Sequence, residues 1–358
     1  MCIIKALNSL LLVSAAIMVP EEPAHMENTM HPTRSRVGEI FAKIKTVCVG
    51  RYALEVPKSA TVVYGPASAP FPIERYPEQA SRLDEVAQEF ATDALARKSK
   101  FPIGPASSSG SLVGTIRQGN TSQHKIVYGV DKGTGAFYTM YSIFVLGPDL
   151  YVQEHSHYGD SQDLERIEGE LKASAARIIP RLLDATVEKP GVCIDGALVV
   201  DTGAIRYERA TLGIRLKEYE DVHFALEMIL KDRLIDSDAL EPRLKEAEEN
   251  AKIQGNAEWY SRIKFFRRGT RRISNWQGFE ALAKRPAQGD ISSLHEFSFV
   301  SQGEPGNPLL PVLTLELYSG VKGNIFGEGA PSLNDDEMIE LWGKLTNSIR
   351  PIAFPVKE

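Results

Sequence analysis

Thr46-Val-Cys-Val-Gly-Arg-Tyr-Ala-Leu-Glu-Val-Pro57 and Gly191-Val-Cys-Ile-Asp-Gly-Ala-Leu-Val-Val-Asp201 are two versions of one pattern. Each is a strand-like run with a cysteine in its third position, and each opens a block of similar length. The first block closes with Asp163-Leu-Glu-Arg-Ile-Glu-Gly-Glu-Leu-Lys-Ala-Ser-Ala-Ala-Arg-Ile-Ile-Pro180, the second with Asp335-Asp-Glu-Met-Ile-Glu-Leu-Trp-Gly-Lys-Leu-Thr-Asn-Ser-Ile-Arg-Pro351. Both closing runs read as amphipathic helices that stop at a proline. A chain that repeats itself in this way predicts two related domains, over 39–186 and 187–358. Two domains make two walls, which suggests a clamp.

Between these landmarks the order of elements repeats. In the first block strands are expected over Cys48–Val56 and Thr61–Tyr64, then a proline-rich turn from Pro66 to Pro77. A helix from Gln79 to Lys98 follows, its apolar positions Leu83, Val86, Ala87, Phe90, Ala94 and Leu95 spaced three and four apart. Four strands (Leu112–Arg117, Lys125–Val130, Ala136–Val145, Leu150–His155) precede the closing helix Asp163–Ile179. After a linker at 184–190 come strands near Val192–Val200, Thr211–Leu216 and Phe224–Leu230. A charged helix, Leu240–Gln254, follows, with Asp236-Ser-Asp238 offering capping oxygens. Strands near Arg262–Phe266, Gly278–Ala283, Leu294–Phe299 and Leu313–Tyr318 lead to the closing helix Leu333–Ile349. The connections are too short for crossover helices, so the strands pair as antiparallel hairpins. The fold class expected is α+β: two related domains, each a mainly antiparallel sheet with two helices on one face.

At 358 residues the chain is long for one core. Hydrophobic content of 43% and charged content of 25% are those of a soluble globular protein. The net charge of −6 argues against nucleic acid as partner, because phosphate binding needs a basic field. No apolar run reaches the ~18 residues that span a bilayer, so no integral membrane segment is expected after the leader. Residues 1–38 read as a signal peptide and polar leader: Lys5, the apolar stretch Leu10–Val19, and small residues at Ser14, Ala15 and Ala16. A later start at Met26 or Met30 is the alternative. Cys48 and Cys193 are left as a pair. In an oxidising compartment they could bridge the two domains. Equally they are two small hydrophobes on equivalent strands. Equivalent positions in a duplication usually lie far apart, whereas a bridge needs Cα atoms within ~7 Å.

Evidence for catalysis is thin. Gly-x-Ser-x-Gly, His-Glu-x-x-His, Cys-x-x-Cys and the lysine-bearing phosphate loop are all absent. The serines at Ser107–Ser109 read as a flexible loop, and Gly323–Gly329 as a plain connector. His155 and His157, two apart on a strand, could share an ion with Asp160 or His124 as third ligand, but a solvent-facing strand end explains them as well. The carboxylates at Glu218/Glu220/Asp221, Glu246/Glu248/Glu249 and Asp335/Asp336/Glu337 fit a turn, an exposed helix face and a helix N-terminus. The strongest charge feature is Arg262, Lys264, Arg267, Arg268, Arg271 and Arg272, interleaved with Phe265 and Phe266. It reads either as an edge hairpin whose cations block association or as a docking surface for an acidic protein.

Val47-Cys-Val-Gly-Arg51 with Val56-Pro57, Gly191-Val-Cys-Ile-Asp-Gly196 and Leu345-Thr-Asn-Ser-Ile-Arg-Pro351 resemble a bacterial family, the cognate immunity proteins of type VI secretion lipase effectors (the Tli type, paired with Tle phospholipases). The resemblance covers nearly the whole chain from about residue 40. It implies a periplasmic, two-lobed inhibitor that binds a phospholipase effector and protects the producer's membranes. It implies no catalytic residues and no cofactor. The competing readings are a periplasmic ligand- or lipid-binding protein that uses the cleft between lobes, and a metal-dependent hydrolase built on His155 and His157.

Overall fold

The computed structural model describes residues 35–98, 110–133, 135–157, 163–182, 187, 189–201, 203 and 207–352. The signal segment expected from the sequence lies outside them. The chain is already folded at Arg36, inside the leader expected to run to residue 38: helix α1 (Arg36–Ile40) starts there and buries Val37.

The first repeat comprises β1 (Ile44–Val49), β2 (Tyr52–Pro57), β3 (Thr61–Tyr64), β4 (Ala67–Ser68), β5 (Pro72–Tyr76), α2 (Leu83–Lys98), β6 (Ile116–Gln118), β7 (His124–Val130), β8 (Tyr138–Leu146), β9 (Asp149–His157), α3 (Leu164–Ala175) and β10 (Ile178–Pro180). The second comprises β11 (Gly191–Ile194), β12 (Ala197–Val200), β13 (Arg209–Arg215), β14 (His223–Ile229), α4 (Leu240–Ile253), α5 (Ala257–Ser261), β15 (Lys264–Ile273), β16 (Trp276–Arg285), β17 (Leu294–Ser301), β18 (Val312–Tyr318), β19 (Val321–Lys322), β20 (Ile325–Phe326), α6 (Asp335–Asn347) and β21 (Arg350–Pro351).

Each cysteine-bearing run is a hairpin, where the pattern suggested one strand. β1 pairs β2 and β11 pairs β12, both antiparallel. Two-residue turns, Gly50-Arg51 and Asp195-Gly196, reverse the chain. They need positive φ, which Gly50 (+55°) and Gly196 (+64°) supply without a Cβ clash. The proline-rich stretch also holds two strands, β4 and β5, at positions where prolines flank the pairing. Ahead of α4 the Asp236–Asp238 segment forms a 3-10 turn, and Ala239 occupies the cap without a side-chain bond.

One 13-stranded sheet runs β15-β16-β17-β18-β14-β13-β4-β5-β9-β8-β7-β6, with β3 also pairing β13. The repeat is visible in it: β15 to β18 mirror β6 to β9, so both edge strands come from corresponding hairpins. The α+β class holds and the pairing is antiparallel throughout. The placement of helices on one face does not hold. Strand alternation sends Ile126, Tyr128 and Met140 to α3, but Val127, Tyr141 and Ile143 to α2. Likewise Leu282, Phe297 and Phe299 meet α6, while Ala281 and Val300 meet α4. Each repeat thus has one helix on each face of the sheet.

The opening hairpins are exchanged. Val47, Val49, Tyr52, Leu54 and Val56 pack with Trp342, Phe299 and Leu315 of the second repeat. Val192, Ile194, Ala197 and Val199 pack with Phe144, Tyr151 and Ala175 of the first. The closing strands follow: β21 pairs β2, and β10 pairs β12. The hairpins touch where Gly50 and Cys193 form a β-bridge. There Cys48 and Cys193 are joined in a disulfide, Cα atoms 5.8 Å apart. Beside it the buried Arg51 binds Asp201 at 2.6 Å and Glu208 at 2.9 Å.

Candidate binding site

Strands β13, β14 and β18 alternate strictly. Leu212, Ile214, Phe224, Leu226, Leu313, Leu315 and Leu317 enter the main core on the α6 side. The opposite face carries small and polar residues: Thr211, Gly213, Ala225, Thr314 and Glu316. Among the described residues no helix covers Thr211, Gly213, Ala225 or Thr314, and α4 reaches only the margin at Glu316. α2 stands over the first repeat and α4 over the second, so the central strands form an uncovered floor between two helices. Gly213 lies opposite Ala225 on one side and Val63 on the other, so the middle of this floor has little side-chain bulk.

Three hollows run along this face. The central one, ≈ 470 Å³, lies over β3, β13, β14 and β18. Toward α2 a hollow of ≈ 690 Å³ is lined by Tyr64, Tyr76, Phe90, Tyr141 and Tyr207. Toward α4 and α5 a third, of ≈ 450 Å³, is lined by Leu244, Trp259, Tyr260 and Phe265. Gly65 lines the first two, and Glu316 and Tyr318 line the first and third, so the hollows form one groove. Its rim is apolar for a surface: Val63, Tyr207 and Phe326 are 47%, 46% and 49% exposed. Aromatic side chains beside small floor residues are the make-up of a protein-recognition surface.

The hollow beside α2 is built by both repeats. Arg75 of β5 bonds Asp149 at 2.8 Å and Asp195 of the second hairpin's turn at 2.9 Å. The Tyr151 hydroxyl donates to the Asp195 carbonyl at 2.9 Å. A Cβ at Gly196 would fall within 2.8 Å of both Arg75 and Tyr151, so glycine is required there by packing as well as by φ. Arg209 and Glu227 pair across the floor at 2.7 Å. Burial, and then the bond to Glu74, raise the Tyr76 hydroxyl to about 12.

The six cations of the basic run fall on and just before the edge strand β15, where they divide. A register shift between Phe265 and Arg267 sends Phe265 to the α4 side, and Phe266 to the main core. Arg271 and Arg267 both pair with the buried Glu280, and Arg271 also bonds Thr346 at 2.9 Å and Asn347 at 2.7 Å. Lys264 binds Asp335 at 2.9 Å. Burial opposes ionisation of Asp335, but bonds from Lys264, Lys284 and His295 outweigh it and hold its pKa far below the usual carboxylate range. Arg262, Arg268 and Arg272 are exposed, and Arg268 lies 5.1 Å from the Phe265 ring centre. The run is therefore half structural clasp and half free edge.

His124 on β7 and His155 on β9 lie at different positions along β8, opposite Phe144 and Met140. His155 bonds the Ser156 carbonyl at 2.9 Å, and His124 is buried, bonded to Ser142 at 2.9 Å. The side chain of His157, and Asp160, lie outside the described residues, as do Ser107–Ser109. Among the described residues no three acidic, histidine or cysteine side chains form a metal-binding group. Asp221 accepts the backbone N–H groups of Gly320 and Ser332, and Glu337 closes the capping box of α6 with Asn334. Sequence reading missed the groove itself. Its signal was the small residues on one side of β13, β14 and β18, which only strand pairing brings together. Among the described residues no helix is long and apolar enough to cross a membrane.

Residues 187–352 match the model of the Tle cognate immunity protein 4 C-terminal domain. No curated protein matches the chain by sequence. Among solved structures, the chain is similar to the apo immunity protein TplEi of T6SS from Pseudomonas aeruginosa (TM-score 0.65, 19% identity, covering 87% of this chain and 98% of that one). TplEi complexed with "L" peptide gives TM-score 0.64 and 17% identity, covering 87% and 99%. A chain of the Tle4-Tli4 complex gives TM-score 0.66 and 19% identity, covering 87% and 98%.

Proposed function

From a chain whose residues 187–352 form a Tle cognate immunity protein 4 C-terminal domain, we infer an immunity protein that binds and inhibits a type VI secreted phospholipase, and that does so by occupation, not by turnover. The observation that carries the mode of binding is the uncovered floor between α2 and α4, with aromatic walls at both ends. A segment of the effector, at its lid or substrate entrance, lies along this groove. The exposed cations Arg262, Arg268 and Arg272 add a basic edge for an acidic part of the same partner. Each repeat supplies one wall, and the exchanged hairpins hold the walls in register.

The inhibitor must outcompete a membrane surface, which calls for nanomolar affinity, about −12 kcal/mol. Two walls and a floor allow an interface of the size that such affinity needs. The Cys48–Cys193 bridge, together with the signal peptide and leader expected over residues 1–38, supports a periplasmic location, since disulfides persist in oxidising compartments.

The test uses the purified chain and a type VI secreted phospholipase effector from the same genome. A complex with phospholipid cleavage suppressed is expected. Gly213→Trp, which fills the middle of the floor where a Cβ meets only Val63 at 3.7 Å or beyond, should weaken inhibition at least tenfold with the fold intact. A stable complex that still cleaves phospholipid at full rate would overturn the reading.

A further inference from the structure

The hollow under α4 differs chemically from the rest of the groove. Its floor is small, with Ala281 and Ala283 on β16 and Ser298 on β17. Its roof is α4, which fully buries only Leu240 and presents Leu244, Ala247 and Ala251 to the cleft. Small residues above and below leave ≈ 450 Å³ unfilled. The side walls are Trp259, Tyr260 and Phe265, and Arg243, Arg285, Glu296 and Glu316 make the rest of the lining charged.

At its end stand two carboxylates on neighbouring strands, Glu296 and Glu316. They are not equivalent. Arg285 bonds Glu296 at 3.2 Å and lies 5.3 Å from the Trp259 ring centre, so that pair is satisfied. Glu316 is half-buried, accepts a hydrogen bond from the Tyr318 hydroxyl, and has no ion-pair partner among the described residues. Arg243, exposed on the rim, acts on it only at a distance. Burial, and then the neighbouring Glu296 charge, raise its pKa. The indole Nε1 of Trp259 is also buried, without a hydrogen-bond partner among the described residues. The cleft therefore combines a carboxylate that lacks an ion-pair partner with aromatic and aliphatic walls. Those are the complements of a cation carried on an apolar side chain or segment.

We propose that the cleft under α4 is a separate seat for the effector, taking an arginine or lysine side chain carried on an apolar peptide segment, with Glu316 as its counter-charge. This rests on the immunity reading and adds a chemical requirement to it. It places an acidic seat just behind the basic edge strand, so the partner must present both signs of charge at this end of the groove.

Calorimetric titration with the same phospholipase tests it. Glu316→Gln is isosteric and removes the charge, and Ala251→Trp fills the cleft from the helix side. Each should weaken binding at least tenfold without lowering the melting temperature. The emission of Trp259, the one partly exposed tryptophan of the three, should shift on complex formation, and Trp259→Phe should abolish that shift. Wild-type inhibition with both variants binding within twofold, and no emission change, would overturn the seat and leave the immunity function standing. Failure of the wild-type chain to bind the phospholipase would overturn both.

Discussion

Gly50 and Cys193 exchange both of their backbone hydrogen bonds, at 3.0 and 2.7 Å, although 143 positions separate them. That bridge places the turn of the first hairpin beside the strand of the second. It is why two cysteines at equivalent positions of a repeat lie close enough to join: the hairpins flank a common point instead of sitting at the centres of separate lobes.

Removing the disulfide should be costly. Cys48 and Cys193 close a loop with a sequence separation of 145. Chain-entropy arguments give about 3–5 kcal/mol for a loop of that size. The double Cys48→Ala, Cys193→Ala variant is expected to melt at a clearly lower temperature. The wild-type protein should melt with the variant once fully reduced. Equal melting of oxidised wild type and variant would contradict this.

Arg51 is nearly buried between Asp201 and Glu208. Arg51→Ala leaves two carboxylates close together without their cation, which costs about 3–5 kcal/mol. Glu208→Gln should cost much less, since Arg51 keeps Asp201. Urea midpoints of the two variants measure the difference. Reversal of that order would show that the cluster is not what holds the hairpins together.

Burial, and then the charge of Lys172, lower the pKa of His124 from its ordinary 6.5 to about 4. Folded and unfolded chains both keep the ring neutral above about pH 6.5. Between 6.5 and 4 the unfolded chain takes up the proton and the folded one resists, so stability falls as pH falls. The full loss is on the order of 3 kcal/mol. His124→Gln should flatten this part of the pH–stability curve, followed by urea unfolding between pH 7.5 and 4.5. A curve of unchanged slope would refute it.

The basic edge should split by function. Arg271→Ala frees the buried Glu280 from its closest cation and cuts the ties to Thr346 and Asn347 on α6, so a loss of about 2–3 kcal/mol of stability is expected. Arg268→Glu with Arg272→Glu should leave the melting temperature within about 1–2 °C, as exposed charges do. The same double variant should weaken effector binding severalfold, most at low salt. Binding unaffected by the charge reversal would remove the edge from the interface.

The repeat pattern, the α+β class and the longer strands were legible in the chain itself, because alternation and helical spacing are local properties of side chains, whereas short strands such as β4, β5, β10 and β19 to β21 were not. The two-residue turns were also written there, in Gly50 and in Asp195-Gly196, though the pattern around them reads as unbroken strands. Whether each helix lies on one face or the other was not legible. An antiparallel strand offers apolar residues to both faces when both are covered, as Ile126 and Val127 do, and sequence order does not say which helix takes which. The basic run was visible as a cluster, but its division into clasp and free edge depends on Glu280 and Asp335, which reach it only through folding.

By itself the sequence determined the vocabulary: two repeats each led by a cysteine-bearing strand run, most of their strands and their closing helices. The tertiary structure decided which repeat each hairpin completes, that the cysteines meet, and that small residues of β13, β14 and β18 line up as an open floor. The reason is physical. Local pattern fixes which face of a strand is apolar, but long-range packing chooses the partner that buries it, and residues such as Gly213, Ala225 and Thr314 become neighbours only through that choice.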